Sequence, residues 1–226
     1  MSDDPALLTE GVTKSYGDLD ALAPLDLTID RGEGVALVGH NGSGKSTLLK
    51  LVAGLLEPTD GWIEVCGAPA GSLGARSSLS YLPDDPVLYD DLSVREHVEY
   101  LSRLHEGEGW DEWADDLVER LGLAPRVDDL PARFSRGLRQ KTAILLALTR
   151  PFDLLLVDEP FVGLDAGGKA TLLELLDEVR ADGATIVVAT HEERFVERVD
   201  RCIALRDGEI IHDGPATPGE VITLVS

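Results

Sequence analysis

Three short runs of the chain, residues 35–38, 154–157 and 185–189, are apolar at nearly every position. Continuous apolarity, in place of an in-out alternation, marks strands covered on both faces, as in a parallel sheet flanked by helices. Each run ends in polar or charged residues: Gly39 to Thr47, Asp158 to Pro160, and Thr190 with His191. In open parallel sheets the ligand crevice lies beyond the carboxyl ends of the strands, so these three stretches are expected to converge. Elsewhere the period changes. Residues 7–29 and 61–67 read as short strands separated by turn residues, an antiparallel unit beside the parallel core. Between about residues 86 and 131 the pattern is helical. Ser93 and Glu96 have the spacing of a capping box, opening a helix with Val94, Val98, Leu101 and Leu104 on one face, and residues 111–121 read as a second helix. Asp207-Gly208, between residues 202–205 and 209–211, predicts a hairpin. With no repeat, low-complexity segment or long polar linker, the pattern predicts one α/β domain over residues 1–226. Its mostly parallel core sheet and antiparallel β-subdomain take residues 7–85 and 132–214, and an inserted helical subdomain takes about residues 86–131.

The 43 % hydrophobic content of the 226 residues suffices for such a core. No run approaches the roughly 20 apolar residues needed to cross a bilayer. The acidic start, Met1 to Asp4, lacks the basic and apolar regions of a secretory signal, so a cytoplasmic chain is expected. Charge changes the picture further. Asp and Glu number 42 against 20 Lys and Arg, a net charge of −22, spread along the chain in pairs such as Asp84-Asp85 and Asp128-Asp129. A surface this negative repels nucleic-acid phosphates, and no direct nucleic-acid partner is expected. The same excess resembles proteins of salt-loving organisms, where a Debye length of about 3 Å at molar salt screens self-repulsion. Stability no higher in molar KCl than at a tenth of that concentration would exclude a halophilic origin. Cys66 and Cys202 lie in apolar stretches without metal-ligand spacing and read as two reduced, buried thiols.

Gly39-His40-Asn41-Gly42-Ser43-Gly44-Lys45-Ser46 fits G-x-x-x-x-G-K-[ST] between a buried strand and a helix expected over residues 47–53. Such glycines let backbone N–H groups point at phosphate oxygens, and the helix adds its positive end. Lys45 can then bridge the β- and γ-phosphates, and Ser46 can place its hydroxyl on Mg²⁺. Asp158 and Glu159 close the second apolar run in the form of a Walker B strand. Asp158 can hold the metal, directly or through water, and Glu159 can polarise an attacking water. The plainer readings are a turn that binds nothing and two acids that merely end a strand. Lys and Ser at the required offsets, and the occurrence of both motifs in one chain, weigh against them.

Phe134-Ser135-Arg136-Gly137-Leu138-Arg139-Gln140-Lys141 opens a helix expected over residues 138–148. It resembles the LSGGQ signature of ABC ATPases; taken alone it reads as an ordinary Ser-capped helix. Tyr16 matches the aromatic that stacks on adenine in that family. Gly163-Leu164-Asp165 is similar to its D-loop, and Thr190-His191 to its switch histidine. Six motifs stand in family order over residues 7–214. The resemblance implies a P-loop NTPase fold and an ATP hydrolase using ATP and Mg²⁺. It implies catalytic roles for Glu159, His191 and Lys45, ATP contacts from Tyr16 and from Gly39 through Thr47, and metal contacts from Ser46 and Asp158. Ser135, Arg136 and Gly137 would act on ATP held by a second ATPase subunit, in a homodimer or heterodimer, with Asp165 at the interface. The family also implies a membrane-spanning permease subunit, docked on the helical region, that holds the chain at the inner face of the cell membrane.

Two positions depart from the family pattern. Asp84 stands where the Q-loop commonly has Gln. A carboxylate about 5 Å from a phosphate charge costs roughly 3 kcal/mol at an effective dielectric near 20, unless a cation lies between. Asp84 is therefore expected to bind Mg²⁺, directly or through water; the alternative is that it points toward the partner. In the signature, Arg136 replaces a Gly and Leu138 a Gln, and the added cation could offset Asp84. The Phe-Ser-Arg-Gly form and the Tyr-Leu-Pro-acid start of the Q-loop resemble exporter-type subunits. Two other classes remain. A soluble repair or translation ATPase would carry a coiled-coil insertion or tandem cassettes, and this chain has neither. A non-hydrolysing clamp would not need Lys45, Asp158, Glu159 and His191 intact. The transported substrate is not encoded.

Overall fold

The computed structural model describes residues 4–105 and 111–225, which form two sheets. The larger follows from the apolar runs. Strands β3 (Gly34–Val38), β7 (Leu154–Asp158) and β8 (Thr185–Ala189) are buried at every position. They pair in parallel with each other and with β6 (Leu79–Leu82) and β9 (Arg201–Arg206). Antiparallel β10 (Glu209–Gly214) completes the order β10-β9-β3-β8-β7-β6. Side chains alternate between faces, so each central strand feeds two cores. Ala36, Val38, Leu155, Val157 and Val188 pack with helices α3 (Val94–Leu104), α5 (Arg136–Thr149) and α6 (Ala166–Ala181). Val35, Leu37, Leu154, Leu156 and Val187 pack with α1 (Lys45–Val52) and with the second sheet.

That second sheet is antiparallel, ordered β2-β1-β4-β5, from β1 (Leu7–Tyr16), β2 (Leu19–Ile29), β4 (Asp60–Val65) and β5 (Ala68–Pro69). Its first two strands run 10 and 11 residues, longer than the pattern suggested. Asp207 and Gly208 both have positive φ, 49° and 83°, which suits the tight turn of the expected β9–β10 hairpin. Among the described residues the remaining α-helices are α2 (Leu73–Ser78), α4 (Glu112–Arg120), α7 (Glu193–Val196) and α8 (Pro218–Val225), with 3-10 turns at Ala124–Arg126 and Pro131–Arg133. Among the described residues, no helix is long and apolar enough to cross a membrane.

Helix starts differ from expectation by two residues because their caps decide them. Gly44, left-handed at φ 107°, starts α1 at Lys45. The Ser135 hydroxyl accepts from the Leu138 N–H and starts α5 at Arg136. The capping box of α3 forms as read, but its buried stripe does not: Leu104 is 57 % exposed and Leu101 only partly covered. His97 takes the inner position beside Val94 and Val98. Burial is possible because both of its ring nitrogens are paired: Nε2 accepts from the Tyr89 N–H at 2.9 Å, and Nδ1 donates to the Ser93 carbonyl at 2.8 Å. Cys202 is buried in β9 as expected, whereas Cys66 is only half-buried. Val65 is the last ladder position of β4, and Cys66 (φ 52°) with Gly67 (φ 80°) makes the turn into β5.

Candidate active site

The loop from Gly39 to Gly44 leaves β3 and enters α1 over two positions that exclude a side chain. A Cβ on Gly39, at φ 155°, would collide with the Leu205 carbonyl and the Ser43 hydroxyl. On Gly44, at φ 107°, it would lie 2.7 Å from Leu22 and 2.8 Å from the Ala21 carbonyl. These close approaches hold the loop against β2 and the β9–β10 turn. Lys45 is buried beneath it, its Nζ donating to the carbonyls of Gly39 at 2.6 Å and His40 at 3.3 Å. Burial pushes its pKa down, against the pull of Glu159 and Asp158.

A cavity of about 360 Å³ is lined by Tyr16, Leu19, Ala21, Asn41 to Thr47, Asp84, Asp158 and Glu159. The carboxyl ends of β3 and β7 thus meet as the run pattern requires. Asp158, 2 % exposed, accepts a hydrogen bond from Ser46, while its Oδ1 has no partner among the described residues. Burial raises its pKa, and Asp84 adds to that against Lys45 and Lys50. A hydroxyl and a carboxylate at one point are hard oxygen donors that suit Mg²⁺. Among the described residues no cluster of three or more His, Cys, Asp or Glu could hold a metal. Mg²⁺ does not require one, since it keeps waters and takes substrate phosphates beside one or two protein oxygens.

Among the described residues Glu159 is one of three non-glycine residues with positive φ, at 46°; its N–H donates to the Ala189 carbonyl at 2.8 Å. Such a backbone costs on the order of 1–3 kcal/mol and persists where the surroundings over-determine it. Here it turns the side chain to His191, whose Nε2 is 3.3 Å from Oε1 and whose N–H also donates to the carboxylate. Burial raises the Glu159 pKa to about 7; Lys45 opposes the shift, and Asp158 and Asp84 add to it. Burial lowers that of His191. Thr190 is buried, its N–H on the Leu37 carbonyl at 3.1 Å and its hydroxyl accepting from the Glu192 N–H at 2.9 Å. These bonds fix the end of β8 beside that of β3.

The other expected residues divide. Tyr16 is half-exposed at the cavity edge, with Lys14 Nζ 5.1 Å from its ring centre. Asp84 lines the cavity, and its charge acts on both Asp158 and Glu159, so it faces them. The His40 ring turns elsewhere, to the Asn41 carbonyl at 2.9 Å and Asp207 at 3.5 Å. Ser135, Arg136, Gly137 and Asp165 do not line the cavity. Arg136 lies over Gly163, its Cγ 3.3 Å from where a Cβ would stand, and Lys45 and Lys50 are cations that act on Asp158. Gly137 fits against the D-loop so closely that a Cβ would be 2.9 Å from the Gly163 carbonyl. Buried Gln140 donates to the Pro160 carbonyl at 3.1 Å, one residue past Glu159. Asp165 caps α6 through the Gly168 N–H at 2.7 Å. Sequence reading missed Leu19 and Ala21 in the cavity wall and Lys50 near Asp158. A signal existed for Lys50 alone, four residues past Ser46 on one helical face.

An ABC transporter family model matches residues 22–162, and an AAA domain model (putative AbiEii toxin, Type IV TA system) matches residues 128–197. The macrolide export ATP-binding/permease protein MacB 1 of Aeromonas hydrophila is 35 % identical over 229 residues, covering 95 % of this chain and 35 % of that protein. The chain therefore spans about a third of the length of that relative. The SkfA peptide export ATP-binding protein SkfE of Bacillus subtilis is 33 % identical over 212 residues, covering 90 % of this chain and 87 % of that one. Among solved structures, the dimeric post-hydrolysis state of the ATP-binding cassette MJ0796 bound to ADP and Pi matches with a TM-score of 0.85. It is 27 % identical and covers 92 % of this chain and 98 % of that one.

Proposed function

The chain belongs to the ABC transporter family, and on that footing we propose that it is an ATP hydrolase that powers a separate membrane-spanning subunit, in the direction of export. The observation that carries the chemistry is Glu159, with a pKa of about 7, 3.3 Å from His191 at the end of the strand that holds Asp158. A general base works best with a pKa near the operating pH, and a buried carboxyl at about 7 meets that condition.

In this reading Lys45 exchanges the carbonyls of Gly39 and His40 for β- and γ-phosphate oxygens, and the loop N–H groups with the start of α1 hold the rest. Tyr16 stacks on the base, with Leu19 and Ala21 beside it. Ser46 and Asp158 would hold Mg²⁺, with Asp84 beside them as a further oxygen donor, directly or through water; when bound, the ion would disperse the charge of the phosphates. Glu159 takes the proton of the attacking water. Neutral His191 bonds Glu159 and reaches the γ-phosphate. Ser135 and Gly137, on the exposed end of α5, close over the nucleotide of a second subunit, as suits a relative solved as a dimer with ADP and Pi.

The partner surface is the helical region. Val87, Tyr89, Tyr100 and Leu104 are exposed there, beside a groove lined by Pro86, Leu88 and Leu101, a few residues from Asp84. A permease docked on it would hold the chain at the inner membrane face. The relatives are named for different cargoes, a macrolide and a peptide, so specificity is assigned to the membrane subunit. In purified protein, Glu159→Gln is expected to keep ATP binding and lose hydrolysis by 100-fold or more, on the order of losses at other acid-base residues. Hydrolysis at the wild-type rate would overturn the assignment.

A further inference from the structure

β6 runs beside β7 with Leu79 opposite Leu154, Tyr81 opposite Leu156 and Leu82 opposite Val157. Tyr81 therefore shares a face with Leu156 and, two residues on, with Asp158. Leu48, Leu49 and Leu51 of α1 cover that face, and the same helix carries Ser46 and Lys50 to Asp158. Strand spacing puts the Cα atoms of Tyr81 and Asp158 roughly 8 Å apart, a gap that a phenol and a carboxylate leaning along the strands can close.

Both side chains end in buried atoms that meet no partner among the described residues: the Tyr81 hydroxyl and Asp158 Oδ1. An unpaired buried hydroxyl is destabilising, and phenylalanine would fill the same space without that cost. Burial raises the phenol pKa, and the carboxylates of Asp158 and Asp84 raise it further, so the group faces both anions as a protonated donor. We propose that Tyr81 is a positioning residue whose hydroxyl donates to Asp158, directly or through one water, once nucleotide and cation fill the cavity. The bond fixes the carboxylate so that its other oxygen meets the cation. It also disperses negative charge beside Asp84 without adding a cation that would compete with the metal. This rests on the reading that Asp158 holds Mg²⁺.

Affinity for a fluorescent ATP analogue, measured with Mn²⁺ and again in EDTA, isolates the metal contribution without turnover. Tyr81→Phe is expected to reduce the ratio of the two affinities roughly 10- to 100-fold, the worth of one hydrogen bond to a charged group. Affinity in EDTA stays within twofold, and the melting temperature holds or rises. Tyr81→His, which keeps a ring donor, recovers part of the ratio. An unchanged ratio in Tyr81→Phe overturns the proposal, as does an equal loss in both variants accompanied by lower melting temperatures. Failure of the wild type to bind the analogue would instead sink the ATP-binding reading. A wild-type ratio in Asp158→Asn would sink the role of Asp158.

Discussion

The P-loop is marked in the sequence by a full motif and the signature segment only by resemblance, and the fold treats the two in opposite ways. Lys45 and Asp158 are buried and Glu159 is partly so, each held by a named neighbour in its own chain. Ser135 and Arg136, at the start of α5, are exposed and do not line that cavity. One region is assembled by the chain itself. The other presents a helix N-terminus outward, where it can meet only another molecule. The two are joined behind the surface by the hydrogen bond from Gln140 to the Pro160 carbonyl and the contact of Gly137 with Gly163. The first turns of α5 are therefore in direct contact with the segment that follows Glu159.

The contrast can be broken most sharply at its centres. Lys45→Ala should lower hydrolysis about 10²- to 10³-fold by removing a charge aimed at the transferring phosphate, and weaken ATP binding in the isolated chain. Ser135→Arg should lower hydrolysis comparably while leaving ATP affinity within twofold, since Ser135 is not part of its own cavity; a parallel loss of binding would erase the distinction. An equal mixture of these two variants should recover roughly a quarter of wild-type activity, because half the dimers are mixed and each has one intact composite site. No recovery at any protein concentration would argue against a site shared between subunits.

Smaller effects follow from ionisation and packing. Hydrolysis should rise as pH increases through about 7, where Glu159 loses its proton, and a profile flat from pH 6 to 8 would contradict that base. The same shift acts on the nucleotide-free fold. Because the folded pKa lies above the ordinary carboxyl value of 4.5, stability is greatest below the latter and falls as pH climbs to about 7. Glu159→Gln should therefore be more stable than wild type by about 3 kcal/mol at pH 8, with the gap shrinking to roughly 1 kcal/mol at pH 5 and vanishing below pH 4, as denaturant titration would register. Gln140→Leu should cost about 1–2 kcal/mol by leaving the Pro160 carbonyl unpaired, and should lower hydrolysis more than that alone predicts if α5 reports to Glu159.

Much of the molecule was legible because its signals are local. A strand buried on both faces must be apolar throughout, and a loop wrapped on phosphate must place Gly, Lys and Ser at fixed offsets, so β3, β7, β8 and the Gly39 to Thr47 loop are written in residue order. Capping is equally local, and it set the start of α3. The sequence could not assign Leu104 to solvent or His97 to the interior, since those outcomes depend on where Tyr89 and Ser93 bring their backbone groups. Nor could it bring Leu19 and Ala21 to the cavity wall, because those distances are set by packing between remote strands. The near-neutral pKa of Glu159 belongs to the same class: it is produced by burial and by charges that only the assembled sheet brings near. Residue types and spacings pointed to the chemistry; the tertiary structure decided which of those residues share the cavity and which stand apart from it.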